Sequence, residues 1–313
     1  MAGPLEETMK VDLDRVIEAA QLIPRQFIRT PQYRSEGISR LLGLDVILKI
    51  ETANPAGSVM GRAAEWWFAN HTTVHRVVCA SANDFGVAMA HAGRIRGIEV
   101  ELFGPADADS AKVEALRHAG TTVRLDGHDP EDISEEARRY ASMVDGTLVL
   151  DGEHVELVEG AATMAAEIEH LAEPPDAVFV PLGSGTLALG TATWCHARMP
   201  RSRVVGVAAE GAPAMVYSVR EHRLVTTPSI DTAAAELAVR VPSKLMVGPL
   251  VLALDDTVLV SELHMQQAAA ALAVHEGLRV SLDGAAALAA AAAAAPSMKE
   301  STVVVAVTSR AIG

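Results

Sequence analysis

From His75 the chain reads HRVVCASANDFGVAMAHAGRIRGIEVELFGPADADSAKVEALRHAGTTVRLDG, three short apolar runs separated by two helically spaced stretches. Runs of four to six apolar residues that alternate with helical periodicity specify a β-α-β-α-β unit. Gly97 and Gly120 follow the two helical stretches, where a left-handed residue ends a helix. Parallel strands need such crossovers, so the segment demands a parallel sheet covered by helices.

A second set begins at Asp176. DAVFVPLGSGTLALGTATWCHARM supplies strand, glycine loop and helix, RVVGVAAEG the next strand, and STVVVAVTS a last strand near the C-terminus. The alanine-rich stretch 284–295 is a strong helix former and reads as a covering helix. Pro174-Pro175 and the polar run DGHDPED are turn or boundary signals. For 313 residues two domains are expected, both α/β with open twisted parallel sheets and covering helices. Residues 1–53 and 153–313 are assigned to a large domain and 54–152 to a small one, with a cleft at the carboxyl ends of the strands.

Composition narrows the function. Lys and Arg number 26 against 40 Asp and Glu, a formal charge of −14, which disfavours nucleic acid and anionic membrane surfaces as partners. No apolar run approaches the roughly 20 residues that span a bilayer, and a cytoplasmic location is expected. Cys79 and Cys195 are read as buried small hydrophobes. His154, His170, His196, His264 and His275 lack metal-ligand spacing, so no metal is expected.

Three strand-to-helix loops are candidates for ligand binding. In PLGSGTLALG, Gly183, Ser184, Gly185, Thr186 and Leu187 form a loop whose N–H groups and following helix can hold phosphate or another anion. A purely steric need for glycine is the competing reading. In CASANDFG, Ser81 and Asn83 or Asp84 are positioned as helix caps. In NPAGSVMGRAAEWWF, Ser58 lies near a helix start with Arg62 one turn on, and Trp66, Trp67 and Phe68 read as core or interface.

Taken in order, RTPQYRSEGISRLLGLDVILKIETANPAGSV, ASANDFG, GSGTL, GVAAEGAPAM and LAVRVP resemble pyridoxal-phosphate enzymes of fold type II. The chain is most similar to the threonine/serine dehydratases within that tryptophan-synthase-β-like family. The resemblance implies that Ser58, Ser81, Ala82 and Asn83 contact a substrate and that 183–187 holds the cofactor phosphate. It also places the Schiff-base lysine at Met60, whose thioether cannot form an imine or carry the α-proton. Asn83-Asp84 stands for a Gly-Asn pair, Glu236 for a glycine beside the ring, and Thr308-Ser309-Arg310-Ala311 for a Ser-Gly-Gly-Asn segment.

Met60 and Thr308 are therefore read as degenerate cofactor positions. Dehydratase turnover is expected to be absent, no cofactor is expected to be covalently bound, and pyridoxal phosphate remains a candidate non-covalent passenger. The expectation is a re-tasked cleft in which Asp84 and Glu236 act as general acid and base and Arg310 helps bind a small amino-acid-like metabolite. The structural alternative pairs Asp84 with Arg310. The functional alternatives are a non-catalytic binding or scaffold subunit, or an engineered lysine-to-methionine dehydratase. A homodimer, or association with an active paralogue, is the expected assembly.

Overall fold

The computed structural model describes residues 9–127 and 130–311. In chain order the elements are α1 (Leu13–Leu22), β1 (Gln32–Arg34), α2 (Glu36–Leu42), β2 (Asp45–Ile50), α3 (Met60–Asn70), β3 (Arg76–Cys79), α4 (Asp84–Arg96), β4 (Glu99–Gly104), α5 (Ser110–His118), β5 (Thr122–Leu125) and α6 (Pro130–Met143). There follow β6 (Thr147–Val149), α7 (Val155–Ile168), β7 (Ala177–Pro181), α8 (Thr186–Arg198), β8 (Arg203–Ala209), α9 (Ala214–Arg220), α10 (Lys244–Ala253), β9 (Asp256–Val260), α11 (Glu262–Glu276), α12 (Leu282–Ala294) and β10 (Thr302–Val307).

The strands form two sheets. One has the order β1-β2-β10-β7-β8-β9, parallel except for β1, and the other is all parallel in the order β5-β4-β3-β6. The last strand of the chain sits between the second and seventh, because Val303 to Val307 are buried on both faces and need neighbours on each side. The strands of the smaller sheet all lie between residues 76 and 149, so the chain enters the six-stranded sheet, leaves it, and returns through α7.

One apolar core joins α3, α7 and α8 between the sheets and contains Trp66, Trp67 and Phe68. A second lies under α11 and the alanine-rich α12 on the far face of the larger sheet. Gly97 caps α4 in the left-handed conformation, and Cys79 and Cys195 are both buried and free. Among the described residues no helix is long and apolar enough to cross a membrane.

Behind the loop that precedes α3 lies a buried ionic network. Arg62 is fully buried and donates to Glu51 at 2.7 and 2.9 Å and to Glu167 at 2.6 and 3.0 Å. Lys49 donates to Glu167 at 2.5 Å. Buried charges persist only when paired in this way. The network ties α3 to β2 and α7 and so fixes where Ser58, Val59 and Met60 emerge.

Candidate active site

The carboxyl ends of β3, β7 and β10 deliver three loops to one cleft, as open α/β sheets do. The loop before α3 is stitched to the end of β10: Val59 N–H donates to the Thr308 carbonyl at 3.0 Å, Arg310 N–H to the Gly57 carbonyl at 3.0 Å, and Ser58 bridges Ser309. Asn54 braces the loop from inside, its amide donating to the Glu51 and Ser58 carbonyls.

The glycine loop closes against Glu236. A Cβ at Gly183 would stand 2.0 Å from the Glu236 carbonyl oxygen, so only glycine admits that approach. Gly185 has φ 101°, a left-handed value, and caps the start of α8. Thr186 opens α8, and its hydroxyl donates to Asp151 Oδ1 at 2.6 Å. Asp151 thus lays a carboxylate against the loop expected to bind an anion. Burial raises the Asp151 pKa, opposed by hydrogen bonds from Thr186, Ser184 and the Gly152 N–H.

Asp84 is the first residue of α4, one position after its N-cap Asn83, and is buried. Neither residue caps the helix with its side chain; instead the Asn83 N–H donates to Ser81 Oγ at 3.2 Å, and the Asp84 N–H to Glu236 Oε1 at 2.6 Å. Asp84 Oδ1 accepts from Lys112 Nζ at 2.7 Å, and Oδ2 has no partner. The Asp84–Arg310 pairing considered above is not formed. Arg310 is exposed at the outer rim, its guanidinium lying over Gly57, because the β10 end turns outward to bond that loop.

Asp283, at the start of α12, completes the cluster and accepts from the Ser281 hydroxyl at 2.8 Å. Glu236 is half-buried as a residue, but its carboxyl is enclosed. Burial, then Asp84 and Asp283, push the Glu236 pKa well above the ordinary carboxyl range, against the pull of Lys112 and the Asp84 N–H. Burial and Asp84 likewise raise Asp283. Lys112 is raised although its burial acts to lower it, because Asp84 and Glu236 outweigh that effect.

The cluster divides two cavities. An inner one of about 50 Å³ is lined by Ser58, Met60, Asp84, Asp151, Glu236 and the 183–187 loop, with Thr308 and Ser309 closing it. An outer one of about 690 Å³ is lined by Ser81, Ala82, Asn83, Lys112 and Arg310. Asp283 borders both. Thus Asp84, Glu236, Met60, Thr308 and the glycine loop meet inside, whereas Ser81 to Asn83 and Arg310 meet outside. Lys112, Asp283 and Asp151 were not singled out from sequence. Asp283 follows Ser281 in a capping pattern that signals only a helix start, and Lys112 sits in a stretch indistinguishable from a solvated helix face.

Residues 23–309 match the sequence profile of the pyridoxal-phosphate dependent enzymes. The chain belongs to that family. It is threonine/serine-dehydratase-like: the L-threonine ammonia-lyase of Thermotoga maritima is 28% identical over 281 residues, covering 89% of this chain and 70% of that protein. The L-threo-3-hydroxyaspartate ammonia-lyase of a Pseudomonas species is 31% identical over 198 residues, 62% of each chain. The alignment therefore spans under two thirds of the latter relative's length. In structure, the T.th. threonine deaminase superposes with a TM-score of 0.89 at 23% identity, covering 96% of this chain and 99% of that one. Maize serine racemase gives 0.89 at 23%, covering 97% and 96%. These two likenesses establish the fold.

Proposed function

We propose that this dehydratase-like family member does not carry pyridoxal phosphate as a Schiff base and that its cleft performs acid/base chemistry on a small amino-acid-like metabolite. The observation that carries the reading is the Asp84–Lys112–Glu236–Asp283 cluster between the two cavities. Two features speak against a fit to pyridoxal phosphate. Met60, where the resemblance places the anchoring lysine, offers a buried thioether, and the nearest amine in the cluster, Lys112, is bonded to Asp84. The inner cavity of about 50 Å³ is also far below the ~300–1,000 Å³ usual for cofactor sites.

Two carboxyl groups in one cleft, one of them held protonated by its surroundings, suit opposite roles in proton transfer. Glu236 remains protonated where an exposed glutamate has ionised, so it serves as the acid. Asp84, with Oδ1 held by Lys112 and Oδ2 free, serves as the base. Lys112 keeps the Asp84 carboxylate oriented. Ser81, Ala82, Asn83 and Arg310 bind the outer end of the metabolite, and an elimination, hydrolysis or cyclisation fits such an arrangement.

The small inner cavity beside Met60 also favours a second reading, a non-catalytic binding or scaffold subunit. A native mass spectrum of the purified protein, alone and with added pyridoxal phosphate, begins the test. A co-purified amino-acid-like compound supports the first reading, and Glu236→Gln should abolish its turnover with little loss of thermal stability. A borohydride-reducible adduct at any lysine, or 2-oxo acid release from serine or threonine, overturns it. Lack of turnover by the wild-type protein favours the scaffold.

A further inference from the structure

Three buried polar atoms around the inner cavity have no hydrogen-bond partner: Ser58 Oγ, Ser309 Oγ and Asp84 Oδ2. Their residues are 1%, 2% and 7% exposed. Each such orphan costs on the order of 1–3 kcal/mol, and native proteins keep few of them. Three around one cavity point to a ligand that satisfies them together.

The charge of the lining identifies that ligand's class. Asp84, Asp151 and Asp283 border the cavity beside Glu236, which the proposed function keeps protonated, and no Lys, Arg or His among the described residues does. One hydroxyl of the loop that would hold phosphate is already engaged, since Thr186 Oγ1 donates to Asp151 at 2.6 Å. A carboxylate hydrogen-bonded to the first side chain of α8 repels a second anion brought to the same helix start.

We propose that the inner cavity is a binding site for a primary ammonium group, held by Asp84, Asp283 and the Ser58 and Ser309 hydroxyls, with Asp151 excluding phosphate from the glycine loop. This deepens the proposed function, and rests on it, by specifying that an amino-acid-like ligand enters ammonium-first. A water needs about 10–15 Å³ of such space, so about 50 Å³ holds the ammonium and a carbon or two. The remainder passes Asp283 into the outer cavity, where Lys112 and Arg310 can meet a carboxylate. An ammonium offers three donors to the three orphaned oxygens.

The test is calorimetric titration of the full-length protein with methylammonium chloride, against sodium chloride at equal concentration, and separately with sodium phosphate. Saturable binding of methylammonium and no binding of phosphate are expected. Ser309→Ala removes only an unpartnered hydroxyl, so the protein should fold, and it should weaken methylammonium roughly tenfold. Asp151→Asn should weaken methylammonium and admit phosphate. Phosphate binding by the wild-type protein, heats for methylammonium equal to those for sodium, or unchanged affinity in Ser309→Ala would overturn the proposal. None of these readouts needs turnover, so active Glu236→Gln with intact methylammonium binding would sink the acid/base assignment alone.

Discussion

Glu167→Gln should make the protein less stable by an amount that depends on pH. The side chain is 19% exposed and accepts from Arg62, Lys49 and the Arg29 N–H, the last at 2.7 Å. Burial alone would raise its pKa, but Arg62 and Lys49 outweigh burial and hold it at about 2, against 4.5 for the free group. A difference of that size corresponds to about 3 kcal/mol. The folded-state pKa is depressed, so this stability is fully present above pH 4.5 and is lost as pH falls toward 2. Lys49 is shifted by its own burial, which exceeds the pull of Glu51 and Glu167 and lowers its pKa. That cost is present throughout the acid range and does not bend the acid limb. Urea unfolding followed by tryptophan fluorescence should therefore separate wild type from Glu167→Gln by about 3 kcal/mol at pH 7 and by roughly half that near pH 3. A gap below about 1 kcal/mol at pH 7, or one that does not shrink with acid, refutes the linkage.

Met60→Lys should not confer ammonia-lyase activity, since Glu236 and Asp84 remain beside the new amine; 2-oxo acid release from serine or threonine would contradict this. Lys112→Met should cost about 3–5 kcal/mol in urea unfolding, because it strands Asp84 among Glu236 and Asp283. Adding Asp84→Asn should recover a large part of that loss, and an unchanged midpoint in the single variant would show that the ion pair contributes nothing.

The alternation of short apolar runs with glycine-ended helical stretches determined the α/β fold, because strand and helix periods are local properties of the chain. The same local chemistry marked the three loops, since a strand followed by glycine or a capping residue needs no distant partner to be legible. Strand order was different. The position of β10 between β2 and β7, and the antiparallel β1, depend on which faces were left to cover.

The site divides in the same way. Sequence marks Met60, Asp84 and Glu236 only through what the family resemblance implies, and tertiary packing alone chose their partners. Lys112 reaches Asp84 from a helix 28 residues further along, and Asp151 reaches Thr186 across 35. Arg310 bonds outward to Gly57 instead of inward to Asp84, because the backbone bridge at the end of β10 determines its direction. Burial raises the pKa of a carboxyl and convergence sets its sign against its neighbours, and both are properties of the folded chain that no local stretch of sequence contains.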